Sequence, residues 1–160
     1  MATDPKDAMQ MISALNQDEA TKEELAAADY LRLLPSGNGK VGSLGWCFGG
    51  GQSLNLALND PKLSVAVIYY GTPVMDLERL AKIKAPILGI FGEADQSIPI
   101  AKVHEFDTAL GEVKLPHEIH TYPGAGHAFA NPSRGEGYKP QAAADAWKHT
   151  LRWLKSHLRP

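Results

Sequence analysis

The chain has 160 residues, enough for one domain with a substantial core, and its 44% apolar and 21% charged content is that of an ordinary globular protein. A net charge of −2 leaves no basic footprint for nucleic acid or an anionic membrane. One cysteine excludes an internal disulfide, no run approaches the roughly 18 apolar residues of a membrane helix, and the opening stretch Met1–Asp7 lacks a signal-peptide core, so a cytoplasmic protein is expected.

Asp4 and Pro5 read as the N-cap and first position of a helix, with Ala8, Met11, Ile12 and Leu15 on one face. Asn16 and Gln17 break that pattern. A second helix is expected behind a capping box of Thr21 and Glu24, carrying Leu25, Ala28, Leu31 and Leu34 and ending before Pro35. Residues 1–34 therefore form a helical segment, and residues 40–160 a strand-and-helix core, within a single domain. A turn cluster at 36–39 precedes the first strand, Lys40 to Trp46. A helix from Phe48 to Leu58 buries Leu54, Ala57 and Leu58. Leu63 to Tyr70 is a β-branched second strand, followed by a short helix with Leu77, Leu80 and Ala81. The third strand, Pro86 to Phe91, leads through Ser97–Pro99 into a helix carrying Val103, Phe106 and Leu110. Glu118 to Tyr122 is the fourth strand, and Asn131 to Lys139 an exposed loop. The last helix, Pro140 to Leu158, is expected to bury Trp147, Leu151, Leu154 and Leu158.

Strands alternating with helices imply right-handed crossovers and a parallel sheet, with ligands beyond the carboxyl ends of the strands. Cys47, Asp95 and His127 each follow a strand end, so one edge of the sheet can collect all three. Cys47 sits in the sequence Gly45-Trp46-Cys47-Phe48-Gly49-Gly50, a small-x-nucleophile-x-small-small turn between strand and helix. So tight a turn strains the central residue and lifts its side chain clear of the sheet. The Phe48 N–H then lies at a helix N-terminus, where it can stabilise a thiolate or an oxyanion. The competing readings are ordinary ones: Cys47 as a small buried residue, His127 as a loop histidine in water, and Asp95 as a helix cap near Ser97, with Glu93 as a rival acid.

These residues resemble the dienelactone hydrolase family, an α/β-hydrolase branch that uses cysteine where most relatives use serine. Gly92-Glu93-Ala94-Asp95 followed by Ile98-Pro99 is similar to its acid loop, and Gly124-Ala125-Gly126-His127-Ala128-Phe129 to its histidine loop. The order nucleophile, acid, histidine is the one this fold uses. The resemblance runs from about Asp4 to the C-terminal helix and lacks the family's N-terminal part. It implies a truncated α/β-hydrolase fold of about four parallel strands with flanking helices. It also implies a Cys47–His127–Asp95 triad hydrolysing a small ester or lactone, with the Phe48 N–H as oxyanion donor and no cofactor. His127 and the helix terminus are expected to lower the thiol pKa and to bring the Cys47 sulfur near a His127 nitrogen.

The departures matter equally. The family's second oxyanion donor and a glutamate that helps activate the cysteine come from the N-terminal part, and no residue here corresponds to either. Asn131 stands four past the histidine where the family has an arginine for the substrate carboxylate. Losing one oxyanion donor typically costs about 10²–10³ in rate, so weak hydrolysis with little preference for acidic lactones is expected. The alternatives are a non-catalytic truncated homologue or interaction module with an inherited triad, and a thiol-based redox protein, although no resolving cysteine is present.

Trp46 and Phe129 are candidate substrate-lining aromatics, and Tyr69, Tyr70 and Tyr122 are undecided. The remaining histidines share no motif and no metal-ligand spacing, with His104, His149 and His157 expected to face solvent. The first strand looks like an interior strand yet would lie on an edge. Three crossovers on one face would leave alternating residues of Leu63 to Tyr70 and Ile87 to Phe91 partly bare on the other. A homodimer is expected, or else a complementing N-terminal fragment.

Overall fold

The computed structural model describes residues 4–159; Met1, Ala2 and Thr3, part of the stretch read as lacking an apolar leader, and Pro160 lie outside them. Helix α1 spans Pro5–Ser13 behind Asp4, whose carboxylate accepts from the Lys6 and Asp7 N–H groups at 2.7 and 2.9 Å. Helix α2 spans Gln17–Arg32. Its N-cap is Asn16, not the expected capping box at Thr21. Asparagine caps at least as well as threonine, and the earlier start puts Asp18 and Glu19 in the first turn, where the helix dipole favours them. Thr21 instead donates to the Gln17 carbonyl and accepts from Asn55.

Four strands follow: β1 (Gly42–Trp46), β2 (Val65–Tyr69), β3 (Ile87–Gly92) and β4 (His117–Tyr122). They form one parallel sheet in the order β1-β2-β3-β4, with Leu44 beside Val67, Val67 beside Leu88 and Leu88 beside Glu118. Helices α3 (Phe48–Asn59), α4 (Leu77–Leu80) and α5 (Ile100–Glu112) make the crossovers, and α6 (Pro140–Leu158) follows β4. The expected α/β architecture is therefore present. The stretch expected as an exposed loop winds into a 3₁₀ turn over Pro132–Gly137, kinked at Gly135, where φ is 61°.

Two packing expectations are overturned together. Every residue from Val65 to Tyr70 and from Ile87 to Phe91 is buried, so neither sheet face is bare over the central strands. The cover is the nineteen-residue α6, which is long enough to lie across both β2 and β3. Its buried stripe is Ala146, Thr150 and Trp153, with Leu154 and Leu158 half-buried, whereas Trp147 and Leu151 are exposed. Small residues win the central positions because they let the helix close on the sheet. Thr150 satisfies its hydroxyl with Tyr69 Oη at 2.7 Å and the Ala146 carbonyl at 3.0 Å.

The edge expectation for β1 holds among the described residues. Val41 O accepts from Ser64 and Cys47 N–H donates to Tyr69, so odd-numbered positions of β1 serve β2. By strand alternation, the N–H and C=O groups of Gly42, Leu44 and Trp46 face outward. No helix of the described residues is long and apolar enough to cross a membrane.

Helix α2 is fastened to the end of α3 by Arg32, which pairs with the buried Asp60 and with Asp29. The other Asp60 oxygen accepts from the Lys62 N–H at 2.9 Å. Breaking a buried pair strands a charge. Asp60→Ala is therefore expected to destabilise the fold by about 3 kcal/mol in urea titration, and Asp29→Ala, an exposed partner of the same arginine, by under about 1 kcal/mol.

Candidate active site

The turn at Cys47 is built from backbone contacts that exclude side chains. A Cβ on Gly45 would lie 1.9 Å from the Gly49 carbonyl oxygen, and one on Gly50 2.6 Å from the Tyr69 oxygen. Strand β1, helix α3 and the end of β2 thus meet at glycine-only distances. The strain falls on Cys47, whose φ of 55° and ψ of −121° lie outside the regions L-residues favour, a state costing about 1–3 kcal/mol unless the surroundings impose it. As the first residue of α3, Phe48 has an N–H that the helix leaves without an internal acceptor.

Asp95 is 4% exposed and divides its two oxygens. Oδ1 accepts from the Ser97 and Ile98 N–H groups at 2.8 and 3.1 Å, and Oδ2 lies 2.7 Å from His127 Nδ1. The capping role is therefore real, and it coexists on one carboxylate with the bond to His127. The rival acid, Glu93, accepts from the Thr121 hydroxyl and makes no bond to His127. The acid and histidine loops are stapled by Ala94 N–H to Ala125 O at 2.9 Å.

Cys47, Phe48, Tyr70, Ser97 and His127 line one cleft of about 410 Å³, and a second concavity of about 290 Å³ adjoins it, sharing Cys47 and Tyr70 and adding Trp46 and Asn131. Trp46 and Phe48 are 43% and 44% exposed and border these spaces. Phe129 does not: it is fully buried, packed edge-on to Tyr70 and against Tyr122, so it supports the cleft from within the core.

One expectation about Cys47 needs correction. Its thiol is raised above the ordinary range, not lowered. Burial is the main cause; Arg134 opposes it and Asp95 adds to it. The half-buried sulfur has lost water, which disfavours the thiolate.

Arg134 was not singled out by the sequence, and Tyr70 was left undecided. Tyr70 has φ of 37°, its ring lies 5.2 Å from that of His127, and burial, reinforced by Cys47 and Tyr69, pushes its hydroxyl well above the usual range. Arg134 projects from the 3₁₀ turn and bears electrostatically on Cys47. Seven residues past the histidine, it lies beyond any spacing that would have flagged it.

Because alkylation needs the thiolate and the thiol is raised, iodoacetamide labelling at neutral pH is expected to be slower than for a free thiol and to climb with pH beyond the usual midpoint. Arg134→Gln removes the one lowering influence, so labelling should slow by a further factor of about 1.5–5, an effect that high salt erases. A midpoint below that of a free thiol would contradict this account.

The model of the dienelactone hydrolase family matches residues 1–158. The chain is 35% identical over 139 residues to "Putative carboxymethylenebutenolidase" from Saccharolobus solfataricus, covering 87% of this chain and 52% of that protein. It is 34% identical over 158 residues to "Probable 2-oxo-3-(5-oxofuran-2-ylidene)propanoate lactonase" from Bradyrhizobium sp., covering 92% and 63%. The chain thus spans roughly half to two thirds of the length of these relatives. Among solved structures, "Putative Dienelactone Hydrolase" from Klebsiella pneumoniae superposes with a TM-score of 0.85 at 26% identity, covering 97% of this chain and 68% of that one. With its four-stranded parallel sheet, its strained cysteine turn and a family match over nearly its whole length, this chain belongs to the dienelactone hydrolase family, within the α/β-hydrolase superfamily.

Proposed function

We propose that this chain is a cysteine-dependent hydrolase of small esters or lactones. The observation that carries the reading is the Asp95–His127 bond of 2.7 Å on a cleft shared with the strained Cys47. Asp95 holds the Nδ1–H of His127, which leaves Nε2 to handle protons. The Cys47 thiol proton passes to Nε2 as the sulfur attacks the carbonyl carbon, and the developing oxyanion is met by the Phe48 N–H. The ring or ester oxygen departs with that proton, leaving a thioester on Cys47. Water, losing a proton to His127, then releases the acid. The lobe containing His127 suits the departing oxygen, and the Trp46 lobe suits the acyl side.

Arg134 supports an anionic substrate, because its charge reaches the sulfur. This revises the indifference to acidic lactones expected from Asn131. The name of the Bradyrhizobium relative specifies a lactone bearing a propanoate. Turnover is expected to stay well under the roughly 10 s⁻¹ of a median enzyme, since one oxyanion donor is identified and the thiol is raised. That raised thiol also favours a second reading: a binding module with an inherited triad.

A small aryl ester and a carboxylate-bearing lactone separate the two. Cys47→Ala should fall to the uncatalysed rate, and Asp95→Asn should lose about 10²–10⁴ in kcat. Arg134→Gln should raise KM about two- to fivefold for the acidic lactone alone. A wild type no faster than Cys47→Ala ends the hydrolase reading and leaves the module.

We also infer that the open edge of β1 pairs with a second copy of the chain, a complementing N-terminal fragment being the alternative. The support is the outward-facing backbone of Gly42, Leu44 and Trp46 beside the exposed Trp46 and Trp147, which line one concavity. Bareness of the central strands no longer contributes. Light scattering should give a dimer mass that dissociates on micromolar dilution. Leu44→Pro, which removes an outward N–H and spares the β2 ladder, should be monomeric. A wild-type monomer at every concentration would remove the self-pairing reading.

A further inference from the structure

The second edge of the sheet carries a ladder of polar pairs that do not line the Cys47 cleft. Alternate residues of β4 share a face, and Glu118, His120 and Tyr122 meet Arg152, His149 and Asp145 of α6 in turn. The Tyr122 hydroxyl donates to Asp145 Oδ2 at 3.0 Å, the His120 and His149 rings lie 3.8 Å apart, and Arg152 Nη2 donates to Glu118 Oε2. His120 Nε2 is 3.1 Å from that same Glu118 oxygen. Arg152 Nη2 is also 3.2 Å from His149 Nδ1. A guanidinium only donates, so Nδ1 of His149 is the nitrogen with the free lone pair. Its Nε2 then carries the proton and faces Asp145 Oδ2 at 3.4 Å. One donor atom each from Glu118, His120 and His149 falls within 4.8 Å of the others, the one such trio among the described residues.

We propose that Glu118, His120 and His149 bind a divalent transition metal of the zinc class, with Asp145 orienting His149. Two imidazoles and a carboxylate are a donor set that zinc accepts, and a carboxylate behind a ligating histidine is its usual support. Tetrahedral bonds of about 2.0–2.1 Å put donors about 3.4 Å apart, so the trio must contract by about 1.4 Å at most, within reach of side-chain rotation. Arg152 Nη2 already lies between Glu118 and His149, so these groups hold a cation; the half-exposed guanidinium can swing into solvent as the metal enters. Burial raises the Glu118 carboxyl, but the His120 bond and Arg152 outweigh it and hold it below the ordinary range. A neutral His120 presents the Nε2 lone pair to the metal by carrying its one proton on Nδ1. Three protein ligands leave a fourth position for water. The metal clasps the last strand to the last helix. Neither Glu118-x-His120 nor Asp145-x-x-x-His149 is a signal alone, which is why the sequence offers no ligand spacing.

Titration of the whole chain with ZnCl₂ in a calorimeter should give one equivalent bound in the micromolar range, with a rise in Tm. His120→Asn and His149→Gln should each weaken binding at least tenfold, as loss of a ligand does. Arg152→Gln should tighten it severalfold by removing the competing cation. Cys47→Ala should leave it unchanged, and Co²⁺ should give tetrahedral visible bands without thiolate charge-transfer absorption. Binding lost in Cys47→Ala but kept in His149→Gln would assign the metal to the other site. No binding in either wild type or Arg152→Gln would end the proposal.

Discussion

Everything that can happen in the cleft depends on how closely three stretches of backbone approach one another at the corner between β1 and α3. Gly45 against Gly49, and Gly50 against the end of β2, leave no volume for a single methyl group. A helix cannot start that near the strand it has just left unless one residue takes an unfavourable backbone conformation, and Cys47 is that residue. The strain is held in place by the packing of β2, whose five residues are all buried. Positioning of the sulfur therefore rests on the tightest part of the core, while the residues that would act with it come from loops.

Those loops are positioned by a more economical device. Asp95 closes its own loop with one oxygen and orients His127 with the other. The neighbouring Ala94–Ala125 bond ties the two loops at the main chain, so the pair does not depend on the side chains alone to stay in register. This arrangement does not keep the thiol low. Burial raises it, and the opposing charge, Arg134, arrives from an exposed turn.

The fold was legible because its signals are local. Hydrophobic period, β-branched runs and turn residues placed all four strands within about two residues, and Gly-x-Cys-x-Gly marked the turn. Errors arose where a decision is made by something distant. Which side of α6 is buried depends on the space above β2 and β3, which favours Ala146 and Thr150 over the larger Trp147 and Leu151. Phe129 reads as a cleft residue two past a histidine until the positive φ of Ala128 turns the chain and sends its ring into the core. The thiol's shift, the reach of Arg134 and the meeting of His120 with His149 are all consequences of folding across long sequence distances, and no spacing rule encodes them.

The strand order bears on how the cleft comes into being. Each strand pairs with the next one along the chain, so no pairing waits on a remote segment and each loop to be closed is short. The turn at Cys47 has its contacts once β1 and β2 have met, whereas His127 finds its carboxylate only after β3 and β4 have joined. A chain emerging from the ribosome can thus form the strained turn before it has made the groups that would use it. Helix α6 comes last: the Thr150–Tyr69 bond brings it back to β2, and the bond from Asn38 to the Leu158 carbonyl ties its far end to the start of β1.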